Sequence, residues 1–215
     1  MKKALIFGAS GLIGSHLLNQ LLNSSDYDQV TVVVRKKLPL QHAKLKMLIG
    51  DYQSLPTLKS QLVVDDVFIA LGTTKKNTPD QEQYYQVDHD YPVLAAKLAL
   101  ENGARWVGLV SAVGADSKSK VFYVRTKGDV ERDLQALGFP HTAIFRPSML
   151  LGDRKEDRPL ERIMMGFWPK LNPLLQGSLS RYRGIEGKAV AAAMIQAAKS
   201  PQGAVKIYEW QEMQS

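Results

Sequence analysis

A doubly wound α/β fold, one parallel sheet with helices on both faces, is predicted by three features of this 215-residue chain. Short apolar, β-branched runs alternate with helical patterns along most of its length. The first junction between them is a glycine-rich turn, and no internal repeat or low-complexity tract breaks the alternation. Such alternation implies right-handed crossovers, and strands buried on both faces read as continuous apolar runs. The length suits a single domain over residues 1–215, with ample chain for a core and little room for a second domain.

The elements follow in order. Ala4-Leu5-Ile6-Phe7 reads as the first strand, Gly8-Ala9-Ser10-Gly11-Leu12-Ile13-Gly14 as the turn after it, and Leu12 to Leu22 as the first helix, which ends in Asn23-Ser24-Ser25-Asp26. Val30 to Val34 is the second strand, Leu45 to Ile49 the third with Gly50-Asp51 behind it, and Val67 to Leu71 the fourth, halted at Gly72. Asp80 to Asn102 forms the longest helix, closed by Gly103. Trp106 to Val110 makes the fifth strand, Val121 to Leu137 a helix stopped by Gly138, and Thr142 to Phe145 the sixth strand. Pro159, Gly166, Pro169, Pro173 and Gly177 break residues 148–183 into short pieces that read as a small irregular substrate cap. Gly184 to Lys199 then reads as a helix and Val205 to Trp210 as the last strand.

Composition narrows the function classes. The absence of cysteine excludes disulfides, cysteine nucleophiles and thiolate metal sites, and points to a cytoplasmic protein. Met1-Lys2-Lys3 and the short apolar run behind it read as a first strand, not a leader, and no run approaches the length of a bilayer span. The balance of 28 basic against 21 acidic residues gives +7, but Lys36-Lys37, Lys75-Lys76, Lys118 with Lys120, and Arg154-Lys155 fall in separate loops without a recognition element for nucleic acid. A dispersed basic surface is the simpler reading, and no nucleic-acid partner is expected. His16, His42, His89 and His141 are scattered, so no metal set is expected either. Met164-Met165-Gly166-Phe167-Trp168 reads as packing over a substrate cleft in preference to a membrane or partner face.

Ligands of a doubly wound sheet sit beyond the carboxyl ends of its strands. The glycine turn between first strand and first helix suits a dinucleotide pyrophosphate on the helix N-terminus. Gly8 serves the turn, Gly11 the close approach of backbone to phosphate, and Gly14 the packing of helix on sheet, although the spacing is G-x-x-G-x-x-G in place of G-x-G-x-x-G. Where an acid after the second strand would select NAD, this chain has Arg35, then Lys36 and Lys37. A guanidinium fork matches a 2′-phosphate, so NADP(H) is the expected cofactor, against a solvated basic turn. Asp51 after the third strand suits either the adenine amino group or a helix cap.

Ser111 ends the fifth strand, and Tyr123 and Lys127 follow near the start of the next helix, at i and i+4 on one face. Carbonyl reduction needs a hydride and a proton, and a tyrosine with an ordinary pKa of about 10 requires a neighbouring ammonium to serve at neutral pH. Lys127 fills that place, and Ser111 would hold the substrate oxygen. The bland alternative is a surface tyrosine beside a solvated lysine.

Taken together, the glycine motif, Val87-Asp88-His89-Asp90-Tyr91, Leu109-Val110-Ser111-Ala112-Val113-Gly114-Ala115-Asp116, Tyr123 to Lys127-Gly128-Asp129-Val130-Glu131, and Phe145-Arg146-Pro147 with Leu151-Gly152-Asp153-Arg154 resemble the atypical, extended-type short-chain dehydrogenases/reductases. Within them the chain is most similar to the Tat-interacting-protein-like NADPH-binding oxidoreductases. The resemblance implies a Rossmann-like domain with strand order 3-2-1-4-5-6-7 and Ser111, Tyr123 and Lys127 as catalytic residues. It implies cofactor contacts from Gly8, Ser10, Gly11, Leu12, Ile13, Gly14, Arg35, Lys36, Asp51, Tyr52, Leu71, Gly72, Thr73, Lys127, Arg146, Pro147 and Ser148. One departure is Asp88, where the wider superfamily often has asparagine. The expected activity is NADPH-dependent reduction of a small carbonyl substrate, by a monomer or homodimer. The rival is a module that senses NADPH and regulates a partner, which has no need of the Ser111, Tyr123 and Lys127 set.

Overall fold

The computed structural model describes residues 1–151 and 176–214. Seven parallel strands form the main sheet: β1 (Lys2–Phe7), β2 (Tyr27–Val34), β3 (Leu45–Ile49), β4 (Asp66–Ile69), β5 (Trp106–Val110), β6 (His141–Phe145) and β9 (Val205–Tyr208). Their order is β3-β2-β1-β4-β5-β6-β9, so the expected topology holds, with β9 in the seventh place. Two further two-residue strands, β7 (Leu150–Leu151) and β8 (Ile185–Glu186), pair in parallel as a separate ladder. Among the described residues the α-helices are α1 (Leu12–Leu22), α2 (Gln81–Tyr85), α3 (Tyr91–Glu101), α4 (Phe122–Ala136) and α5 (Gly187–Lys199), the last of which lies against α1.

Alternate residues of β1 serve opposite faces, as the period of a strand requires. Ala4 and Ile6 join a core with Leu17, Leu21, Val190 and Met194 from α1 and α5. Leu5 and Phe7 join a second core with Ala95, Ala99, Val130 and Leu134 from α3 and α4. Both faces of the sheet are therefore covered.

Several boundaries differ from the sequence reading. β2 starts at Tyr27, ahead of Val30, because Tyr27 pairs with Lys2 and buries its hydroxyl against Asp66 at 2.5 Å. A 3-10 helix (Leu55–Gln61) fills the connection after β3. The helix expected over 80–102 is divided by a π turn at Gln86–Asp90, which inserts an extra residue between α2 and α3. The helix expected from Gly184 begins at Gly187, because Ile185–Glu186 are taken by the pairing with β7. The last strand ends at Tyr208, and the Trp210 indole donates to the Gly184 carbonyl at 3.1 Å. Of the cap expected over 148–183, residues 152–175 lie outside the described residues, and with them Gly152, Asp153, Arg154, Pro159, Met164, Met165, Gly166, Phe167, Trp168, Pro169 and Pro173.

Candidate functional site

The β1–α1 turn is built on glycine for steric reasons. Gly8 has φ +86°, and a Cβ there would lie 2.4 Å from the Ala70 carbonyl oxygen at the end of β4. A Cβ on Gly14 would lie 2.0 Å from the Gly8 carbonyl oxygen, so the helix closes directly onto the turn. Gly11 precedes the helix, with no side-chain cap and no acid in the first turn. The first-turn amides thus face outward with no anionic side chain to satisfy them, which suits the phosphates of a dinucleotide. Ser10 and Gly11 are exposed, Leu12 half-buried and Ile13 buried. The residues present fit the group.

Arg35 and Lys36 follow β2 as exposed cations. Asp51, also exposed, accepts from the Ser54 amide at 2.9 Å and the Ser54 hydroxyl at 2.7 Å, and these bonds hold its carboxyl below the usual range. These bonds close the turn ahead of the 3-10 helix, whose N-cap position is Ser54. Tyr91 packs edge-on against both Phe7 and Tyr52, at 5.8 Å and 6.0 Å. Burial, with Asp51 adding to it and Arg35 opposing, pushes the Tyr91 phenol up to about 12. Arg35, Asp51, Tyr52 and Tyr91 are thereby one neighbourhood beside the carboxyl ends of β2 and β3.

At the ends of β4 and β5 the chemistry is denser. Gly72 follows β4, and a Cβ there would stand 3.9 Å from Lys127 Nζ and from both Asp88 carboxylate oxygens. Lys127 Nζ meets Asp88 Oδ2 at 2.9 Å, with both side chains buried. The other Asp88 oxygen accepts from the Thr73 amide at 2.7 Å. Burial alone would push the Lys127 ammonium down, but Asp88, with Tyr123 and Glu131 near it, more than offsets that and raises the pKa above its ordinary value. Tyr123 stands on α4 one turn before Lys127 and is 44 % exposed. Leu71 packs against the core on the α3 and α4 side.

Ser111 is buried at the end of β5, and its hydroxyl donates to Glu131 Oε1. Glu131 is held in turn by Arg146, with Nε to Oε1 at 3.0 Å and Nη2 to Oε2 at 2.5 Å. The guanidinium of Arg146 is thus engaged within the protein. The Pro147 carbonyl accepts from the Val113 amide at 3.0 Å, and the Ser148 hydroxyl donates to the Tyr182 carbonyl at 2.9 Å. A surface cavity of about 300 Å³, lined by Asp116, Gly128, Arg132 and Gln135 among others, borders Glu131 and Arg146.

Three positioning features escaped the sequence reading. Glu131 extends the Tyr123–Lys127 stripe by another four residues, a period that was available to be read. Gly128 lets α4 lie against the loop after β5, since a Cβ there would fall 2.0 Å from the Ser117 amide nitrogen. The π turn sends two consecutive side chains to α4: Asp88 to Lys127, and His89 to Asp133 at 2.9 Å. Among the described residues no three His, Asp or Glu side chains are grouped to hold a metal ion, and no helix is long and apolar enough to cross a membrane.

Known proteins share this fold and family. Residues 8–201 match the NAD(P)H-binding family. "Protein FMP52, mitochondrial" of Eremothecium gossypii is 38% identical over 152 residues, covering 71% of this chain and 68% of its own. "Protein fmp52, mitochondrial" of Emericella nidulans is 31% identical over 97% of this chain and 94% of its own. "Protein HTATIP2" of Rattus norvegicus is 33% identical over 79% of this chain and 72% of its own. Among solved structures, the Bordetella bronchiseptica enzyme WbmH in complex with NAD+ superimposes with a TM-score of 0.74 at 18% identity, over 98% of this chain and 76% of that one. The cytoplasmic expectation is corrected by these relatives, because the FMP52 proteins are named mitochondrial. A chain without cysteine has no thiol that would tie it to one compartment.

Proposed function

Since this chain belongs to the NAD(P)H-binding family of atypical short-chain dehydrogenases/reductases, we propose that it is an NADPH-dependent oxidoreductase that reduces a small carbonyl substrate. The observation that carries the reading is the buried Lys127–Asp88 pair beside Gly72, with Tyr123 one turn away on the same helix face. Dinucleotide binding alone does not call for a phenol on the same helix face as that ammonium, whereas proton transfer to a carbonyl oxygen does.

The bound nicotinamide supplies the hydride. Tyr123 donates the proton to the developing alkoxide, and the ammonium of Lys127, kept charged by Asp88, favours the phenolate left behind. Asp88 also fixes the loop after β4 through the Thr73 amide, which holds that loop against the cofactor side of the sheet. Gly8, Gly11 and Gly14 leave the α1 amides open to the pyrophosphate, and Ser10, Leu12 and Ile13 belong to the same turn. Arg35 and Lys36 take the 2′-phosphate and so select NADPH.

The test is NADPH oxidation, followed at 340 nm, against a panel of aldehydes and ketones. Turnover that disappears in Tyr123→Phe supports the reading. Tight NADPH binding with no turnover on any carbonyl would instead favour the NADPH-sensing module.

A further inference from the structure

His89 lies buried in the π turn with a carboxylate at each of its ring nitrogens. Nδ1 meets Asp90 Oδ1 at 2.8 Å, and Nε2 meets Asp133 Oδ2 on α4 at 2.9 Å. A carboxylate only accepts, so both nitrogens donate and the ring is the imidazolium. The surroundings call for that charge. Arg132 binds Asp129 Oδ1 at 2.8 Å and the two oxygens of Asp133 at 2.7 Å and 3.0 Å, so in this cluster one guanidinium stands against three carboxylates until His89 is counted. Arg132 first, with His89 adding to it, holds the Asp133 carboxyl below its usual range and so keeps it an acceptor. Tyr85 covers one face of the ring, stacked at 4.4 Å, with its hydroxyl 3.4 Å from Asp129 Oδ2.

Successive side chains of a regular α-helix diverge by about 100°, and the π turn adds its extra residue where Asp88 and His89 both reach α4. Such turns are rare, and tertiary contacts must hold them against the regular helix. We propose that His89 is a positioning residue: shared between Asp90 and Asp133, it pins the π turn to α4 and so keeps Asp88 on Lys127. Freed of that pin, the segment from Gln81 to Glu101 relaxes toward an uninterrupted α-helix, which turns Asp88 away and leaves the Lys127 ammonium buried without its partner. The consequence for turnover rests on the reading above that Lys127 serves Tyr123.

The Lys127 ammonium reports the pin directly. In protein with isotope-labelled lysine, followed by NMR, its signal is assigned by its absence from Lys127→Arg and titrated in the folded wild type, His89→Phe and Asp133→Ala. His89→Phe keeps a ring against Tyr85 and removes both donors, and Asp133→Ala removes the acceptor on α4. In each variant the Lys127 midpoint should fall by about one pH unit or more, and combining the two changes should lower it no further. His89→Arg, which offers donors to both carboxylates, should restore the wild-type midpoint. The direction is diagnostic. Loss of a neighbouring positive charge would by itself raise the Lys127 midpoint, and a His89 that merely filled space would leave it in place, so a fall reports the departure of Asp88.

Should His89→Phe fail to fold, Asp133→Ala carries the same measurement, since the Asp133 side chain is partly exposed on α4. An unchanged or raised Lys127 midpoint in either folded variant overturns the proposal, as does a further fall when the two are combined. NADPH oxidation with the carbonyl panel is followed separately, and kcat should fall by about ten- to a hundredfold in His89→Phe and recover in His89→Arg. A lowered midpoint without turnover of any carbonyl by the wild type would defeat the reductase reading and leave the pin standing.

Discussion

Lys127 and Asp88 form an ion pair of 2.9 Å in which both side chains are buried, so the charge of one is sustained by the other. The sign of the linkage follows. The Lys127 pKa is raised on folding, so its contribution to stability is fully present below the unfolded value of about 10.4 and is lost as pH rises through the folded value. Asp88→Asn removes the largest opposing influence to burial, and the ammonium should then titrate below its ordinary range. The variant should lose about 3–5 kcal/mol at pH 6 and less at pH 9, where the amine can be buried neutral. Urea denaturation at the two pH values checks this, and an equal loss at both would show that the pair does not sustain the Lys127 charge.

Arg35 should account for the choice of dinucleotide. It stands exposed after β2, so Arg35→Asp should leave the fold intact. NADPH should bind the wild type more tightly than NADH, and the variant should narrow or invert that ratio, since one charge-assisted bond contributes about 1.5–3 kcal/mol. Titration of both cofactors is the measurement. Equal affinities in the wild type would remove the assignment.

Tyr123→Phe should lower turnover by about 10²–10⁴-fold, the usual contribution of a positioned acid-base group. Because Tyr123 is 44 % exposed and its hydroxyl is assigned to the substrate, stability should move by less than about 0.5 kcal/mol and NADPH affinity little. Near-full turnover in the variant would reassign the proton donor.

Gly128→Ala tests the seat of α4. The added Cβ would meet backbone, 2.0 Å from the Ser117 nitrogen and 2.2 Å from the Asp116 carbonyl carbon, so the helix or loop must shift. A loss of about 1–3 kcal/mol is expected, together with lower turnover at saturating cofactor, since Tyr123 and Lys127 ride on that helix. Gly138→Ala is the control. It has φ +77° but nothing within 4 Å of its Cβ, so it should cost stability through backbone strain and leave turnover per folded molecule unchanged. Thermal denaturation paired with initial rates separates the two.

Local signals carried most of the fold. β3, β5 and α1 stand at the residues their apolar periods indicate, and the parallel order follows from the alternation of strand and helix. The glycine turn and the Tyr123–Lys127 face were equally legible, because each depends on residues a few positions apart. The π turn was not: a single extra residue in a long apolar helix leaves the composition of the segment unchanged, and only the packing of α4 against it shows that Asp88 and His89 are both turned inward.

The serine's role could not be read from spacing either. Ser111 and Glu131 are twenty residues apart in the chain, and Arg146 arrives from the end of another strand. Local signals identified a hydroxyl at a strand end and a phenol and an ammonium on the helix after it, since periodicity and turn chemistry act over a turn or two of chain. Which carboxylate receives the serine hydroxyl is decided where β5, α4 and β6 meet, and which one keeps the ammonium charged where the π turn packs on α4, because the strength of a hydrogen bond or ion pair depends on distance and burial, and neither is a property of sequence separation.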